Sequence, residues 1–121
     1  MKSHTMLLAI AIVTILLSGC GNKPPVGAEV RYGLLSDSVL QLYNSSHERM
    51  NIQVTFTAKN GVDRVRRSFQ IAPLSRIEIG ALECPWNFEA GETAVIHVDG
   101  YGQDLHVKLS QDGKSYETWY R

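Results

Sequence analysis

From Glu29 onward the chain keeps a period of two, and that alternation restricts it to extended structure. Ile52, Val54, Phe56 and Ala58 alternate with Gln53, Thr55 and Thr57, so the apolar side chains of this segment share one face of a strand. A helix would scatter the same residues around its axis. Nowhere does the chain show i, i+3, i+4, i+7 spacing over helical length.

The same pattern predicts strands over residues 30–35, 39–43, 52–58, 65–71, 75–79, 93–98, 105–109 and 116–120. Turn signals separate them. Asn44-Ser45-Ser46-His47-Glu48 is a polar cluster, Asn60-Gly61 and Asp112-Gly113 suit tight hairpins, and Gly100-Tyr101-Gly102 reverses the chain. Asn44 to Ser46 also fits a glycosylation acceptor, but we read it as turn chemistry. Seven or eight short strands with frequent turns predict an all-β chain. The expected fold is a single antiparallel, immunoglobulin-like β-sandwich. Its expected core holds Ile52, Val54, Phe56, Phe69, Ile77, Ile79, Ile96, Val98, Leu105, Val107 and Leu109.

Residues 1–28 do not alternate. Lys2 and His4 form a short basic start, and Met6 to Leu17 is apolar apart from Thr14. As a helix this run would reach about 18 Å, short of the ~30 Å hydrocarbon core, which suits a signal peptide better than a membrane span. The next four residues, Leu17-Ser18-Gly19-Cys20, resemble the lipobox of bacterial lipoproteins. The resemblance covers residues 1 to about 22. It implies cleavage before Cys20, a diacylglycerol thioether on that cysteine and acylation of its new amino group. The alternative is an ordinary secretory signal with an incidental cysteine. Buried methylenes contribute about 0.8 kcal/mol each, so two or three acyl chains would anchor stably.

The expected organisation is a signal peptide over residues 1–19, a lipidated Cys20 with a Pro/Gly tether to residue 28, and a β-sandwich over residues 29–121. An extended tether of this length spans about 25 Å. The expected location is the bacterial cell envelope. For a Gram-negative source, Gly21 in place of Asp leans toward the outer membrane, facing the periplasm.

Removing residues 1–19 from 121 leaves 102, one domain able to bury roughly 60–70% of its unfolded surface. Loss of Lys2 leaves eleven Lys plus Arg against twelve Asp plus Glu, a balance that gives no basic excess for nucleic acid. With Cys20 committed to lipid, Cys84 has no intramolecular partner. Pro85 and Trp86 follow it, so we expect a buried, slowly reacting thiol in a monomer, with an intermolecular disulfide or a reactive thiol as alternatives.

The mature region loosely resembles FxLYD-type and other immunoglobulin-like domains of bacterial lipoproteins. The resemblance rests on LYNSS before an alternating strand, an NG hairpin, IAPLSRIEIG and EAGETAVIHVDGY, over about residues 38–101. The GY after a strand is also similar to transthyretin-like PEGA domains. Both families imply a sandwich and leave function open.

No GxSxG, HExxH, Walker A loop or CxxC is present. We therefore expect no enzyme and no cofactor. His97 and His106 would face each other if Val98 paired with Leu105, with Asp99 or Asp104 as a third metal ligand. The favoured reading is two solvated imidazoles and no metal. Asp63-Arg64-Val65-Arg66-Arg67 is read as a charged edge that blocks sheet-to-sheet association, and otherwise as a site for anionic head groups or an acidic partner. Arg67 shares the Val65/Phe69 face, which calls for a bulge or an inward-pointing edge charge. Trp86 and Phe88 are read as a plug at one end of the core, with a ligand platform as the alternative. Tyr116, Trp119 and Tyr120 put aromatics on both faces of the last strand.

The expected function is a lipid-anchored, non-enzymatic binding or adaptor module. Its expected contacts are the membrane through Cys20 and a protein partner at a sheet edge or at the final strand. The alternatives are a structural accessory of an envelope or secretion complex, and a small metal-binding envelope protein.

Overall fold

A computed structural model of the chain describes residues 22–32 and 38–121. Among the described residues every regular element is a strand: β1 (Val26–Tyr32), β2 (Ser38–Asn44), β3 (Met50–Thr57), β4 (Arg64–Ile71), β5 (Arg76–Ile79), β6 (Thr93–Val98), β7 (Leu105–Leu109) and β8 (Tyr116–Tyr120). They form two antiparallel sheets, one of three strands in the order β1-β2-β5 and one of five in the order β4-β3-β6-β7-β8. The fold is an all-β sandwich. In immunoglobulin lettering β1, β2 and β5 take places A, B and E. Strands β3, β6 and β7 take C, F and G, with β4 beside C and β8 beyond G.

Alternation builds the core directly. Met50, Ile52, Val54 and Phe56 of β3 are buried, and so are Ala94, Ile96 and Val98 of β6 and Leu105, Val107 and Leu109 of β7. Leu40 and Leu42 face them from β2, Val26 and Val30 from β1, and Ile79 from β5. Of the expected core residues, Phe69 and Ile77 are only partly buried, because β4 and β5 are edge strands.

The sequence expectation differs from the structure at several points. The first strand starts at Val26, not residue 30, because Val26 is already buried, and this takes residues 26–28 out of the expected tether. The signal peptide, Cys20 and residues 33–35 of the expected first strand lie outside the described residues. Val39-Leu40-Gln41-Leu42-Tyr43 suggests a strand apolar on both faces apart from Gln41. That glutamine lies on the outer face of β2, and its amide donates to Glu78 at 2.7 Å beneath an Arg31–Glu78 ion pair.

The two predicted tight hairpins are six-residue connections of one design, each narrowed to four loop residues by a closing backbone hydrogen bond, Ala58 N–H to the Asp63 carbonyl and Ser110 N–H to the Ser115 carbonyl, both 2.9 Å. Gly61 and Gly113 have positive φ (73° and 72°), while Asn60 and Asp112 do not. Instead the Oδ1 of Asn60 accepts the Val62 N–H at 2.8 Å, and that of Asp112 accepts the Lys114 N–H at 3.0 Å. No bulge interrupts β3–β4. Arg67 opposes Val54 in unbroken register, and its guanidinium turns out to the Arg66 carbonyl at 2.9 Å.

Between β5 and β6 the chain closes one end of the sandwich. Phe88 is buried and meets Phe56 edge-on, with ring centres 5.3 Å apart. Trp86 packs against the core, and its indole N–H donates to Glu92 Oε1 at 3.1 Å. The same oxygen accepts the Glu89 N–H at 2.8 Å. Trp86 and Phe88 are thus the end plug that their loop position predicts.

Candidate functional site

The outer face of the five-stranded sheet carries the candidate site. Direct pairing fixes one row across all five strands: Arg66 opposite Thr55, Thr55 opposite Val95, Val95 opposite His106, and His106 opposite Trp119. Alternation forces these residues outward, because their neighbours on each strand supply the core. Trp119 stacks on the His106 ring, with centres 5.3 Å apart and planes 9° from parallel. Trp119 remains 36% exposed, so the stacked pair forms a flat platform reaching solvent at the β8 edge. Thr55, Val95 and His106 are half-buried, and Arg66 donates to Thr55 Oγ1 at 3.4 Å across the strands. The row therefore passes from a cationic edge on β4 to an aromatic edge on β8.

The expected His97–His106 pairing does not form. Ile96, not Val98, pairs with Leu105, and His106 sits opposite Val95. This places His97 diagonally from His106, with its Nδ1 2.8 Å from Asp104 Oδ1. Asp99 begins the β6–β7 turn, its N–H bonded to the Asn51 carbonyl. Among the described residues no three His, Cys, Asp or Glu side chains are grouped so as to hold a metal ion.

The basic cluster divides by parity. Arg64 and Arg66 stand exposed on the outer face of edge strand β4, Arg67 emerges from the inner side, and Asp63 accepts from the Asn60 amide at 3.0 Å. An edge strand lined with cations is guarded against pairing with another sheet.

Cys84 is free and 1% exposed. Burial pushes its thiol pKa up, and nearby Arg67 only partly opposes this. A thiol so placed stays protonated and is a poor nucleophile. Two buried polar side chains, Asn44 and Glu92, hold more of the structure than their places in the sequence indicate. Asn44 is fully buried, and its amide donates to the carbonyls of Glu48, Ile71 and Ala72. The Ser-Ser after it was the available signal, since Asn44 Oδ1 also accepts the Ser46 N–H and hydroxyl. A glycan has no access to that amide, which agrees with the turn reading. Glu92 had no sequence signal of its own.

Comparison with protein-family models, curated proteins and solved structures finds no match in any of the three.

Proposed function

We propose that this chain is a lipid-anchored, non-enzymatic binding module of the bacterial cell envelope. The resemblance of Leu17-Ser18-Gly19-Cys20 to a lipobox supports the anchor. The observation that carries the binding role is the exposed Trp119–His106 platform on an otherwise hydrogen-bonding sheet face. Stacked aromatics at a solvent-facing edge offer a large, rigid contact area at low entropic cost, which is the character of a recognition surface. A protein partner would place an apolar group against Trp119 and polar groups over Thr55 and Arg66. Cys84, held as a protonated buried thiol, adds no chemistry to that surface.

Two measurements test this reading. Cys20→Ser should release the protein from the salt-washed envelope fraction; a variant that still pellets removes the anchor. A photo-crosslinking amino acid at position 119 should capture a defined partner, and one at position 82, on the end loop, should not. Equal capture at both positions would sink the platform as the recognition surface. A stoichiometric complex surviving purification would move the reading to a structural accessory.

A further inference from the structure

Strands β1, β3, β5 and β7 begin, and β2, β4, β6 and β8 finish, at the same end of the sandwich. The chain enters the domain there, and it enters fixed. Pro24 is buried, and the Pro25 carbonyl accepts from both the N–H and the hydroxyl of Ser45, at 2.9 and 3.1 Å. The Tyr120 hydroxyl donates to the Val26 carbonyl at 2.6 Å. Lys23 holds its ammonium 5.0 Å from the centre of the Tyr120 ring. Only three residue steps separate Lys23 from Cys20, a reach of about 11 Å at full extension.

A lipid on Cys20 would therefore hold this end close to the head groups. Two turns dominate the end. The β2–β3 turn carries exposed Arg49, and Arg76 follows the β4–β5 turn, its guanidinium over the Tyr43 ring. Leu74, 50% exposed, sits at the tip of the β4–β5 turn. Its φ of 53° lies in a region costly for leucine, and its N–H bonds to the Ser46 carbonyl at 3.1 Å, which ties the two turns together. Glu48 is the one acid on these turns. Asp99 and Asp104 lie on the β6–β7 turn of the same end, and His97 engages Asp104. The opposite end carries both signs, with Asp63, Glu83, Glu89 and Asp112 exposed alongside Lys59, Arg64 and Lys114.

We propose that this end is a membrane-docking face for anionic lipid head groups: Lys23, Arg49 and Arg76 meet the phosphates and Leu74 enters the interface. Cations near an anionic surface are attracted, and an apolar tip between them reaches the acyl boundary. The opposite end mixes acids with cations and lies away from the tether, so the short tether and the Leu74 tip between Arg49 and Arg76 orient the domain the same way. The inference rests on lipidation of Cys20. In that orientation the outer sheet face stands upright from the membrane.

The test uses the full lipidated chain in a Cys84→Ala background, with a fluorophore on Leu74→Cys or Leu82→Cys. The protein is reconstituted in phosphatidylcholine vesicles with or without phosphatidylglycerol, and the quencher is a head-group spin-labelled lipid. We expect several-fold stronger quenching at position 74 than at 82, increasing with phosphatidylglycerol. Arg49→Glu with Arg76→Glu should abolish the increase. Should that pair unfold the domain, Arg49→Gln with Arg76→Gln replaces it, each lost charge weakening vesicle partitioning of the unlipidated domain about fivefold. Equal quenching at both positions, or an increase that survives charge removal, overturns the docking face alone. Absence of lipid on Cys20 by mass spectrometry overturns the anchor, and this inference with it.

Discussion

At position 44 the chain places a fully buried amide where β2 ends. Its donors reach carbonyls on the β2–β3 turn and at the end of β4, so one side chain joins turns that follow different sheets. Asn44→Ala removes three donations and the acceptor of the Ser46 N–H and hydroxyl, leaving the Glu48 carbonyl with the Ser46 hydroxyl and the Ala72 carbonyl with the Ser75 N–H. We expect a loss of about 2–3 kcal/mol, read as a lower urea midpoint with an unchanged slope. Phe56→Ala removes the ring that meets Phe88 and should cost about 3–5 kcal/mol. An unchanged melting curve would contradict the burial of β3. Cys84 gives a pH test. Because burial raises its pKa, the unfolded chain ionises first as pH rises. Its contribution to stability is full below the unfolded pKa and falls as pH climbs through the folded value. Maleimide labelling of the folded protein should stay slow across the range where an exposed thiol ionises; fast labelling at neutral pH would contradict this placement.

Elements were legible where one face is wet and one dry. Strand β3 alternates without a fault, and its parity matches the burial of every second residue. Register was harder to read. Shifting β7 by two residues against β6 leaves every side chain on the same face, so hydrophobic pattern cannot separate Val98–Leu105 pairing from the observed Ile96–Leu105 pairing. The length of the β6–β7 turn decides it, and that length moves His97 away from His106. The start of β1 is hidden for a related reason: Pro24 and Pro25 read as tether, yet a buried Val26 follows them. The loop between β5 and β6 was opaque because it has no period. Glu92 organises it through one oxygen, and Glu92→Ala should loosen Trp86 and Phe88 together. We expect about 2–4 kcal/mol lost and a clear rise in the Cys84 labelling rate. A stability loss with unchanged labelling would mean that the plug holds without Glu92.

Taken as one body, the domain has a single core cluster to which both sheets and the end plug contribute. Sequence alone was enough for that architecture, because strand number, turn chemistry and parity constrain a sandwich. The Trp119–His106 platform was not readable, because it needs the pairing order β6-β7-β8 as well as parity. A shared core should make unfolding a single cooperative event, and the two tryptophans can report on it separately. Trp86 lies in the plug and Trp119 on the outermost strand of the larger sheet, so each senses a different margin of the same core. Trp119→Phe leaves Trp86 as the reporter, and Trp86→Phe leaves Trp119. In urea each variant's fluorescence transition should coincide with its own circular-dichroism transition, as two-state unfolding of one core requires. Tyr120 packs on the core and bonds the Val26 carbonyl, which ties β8 to the other sheet. If that tie gives way first, the Trp119 indole will change at lower urea than the backbone signal does. That separation would show the aromatic edge detaching from an intact sandwich, and the platform would then be a mobile strand instead of a rigid surface.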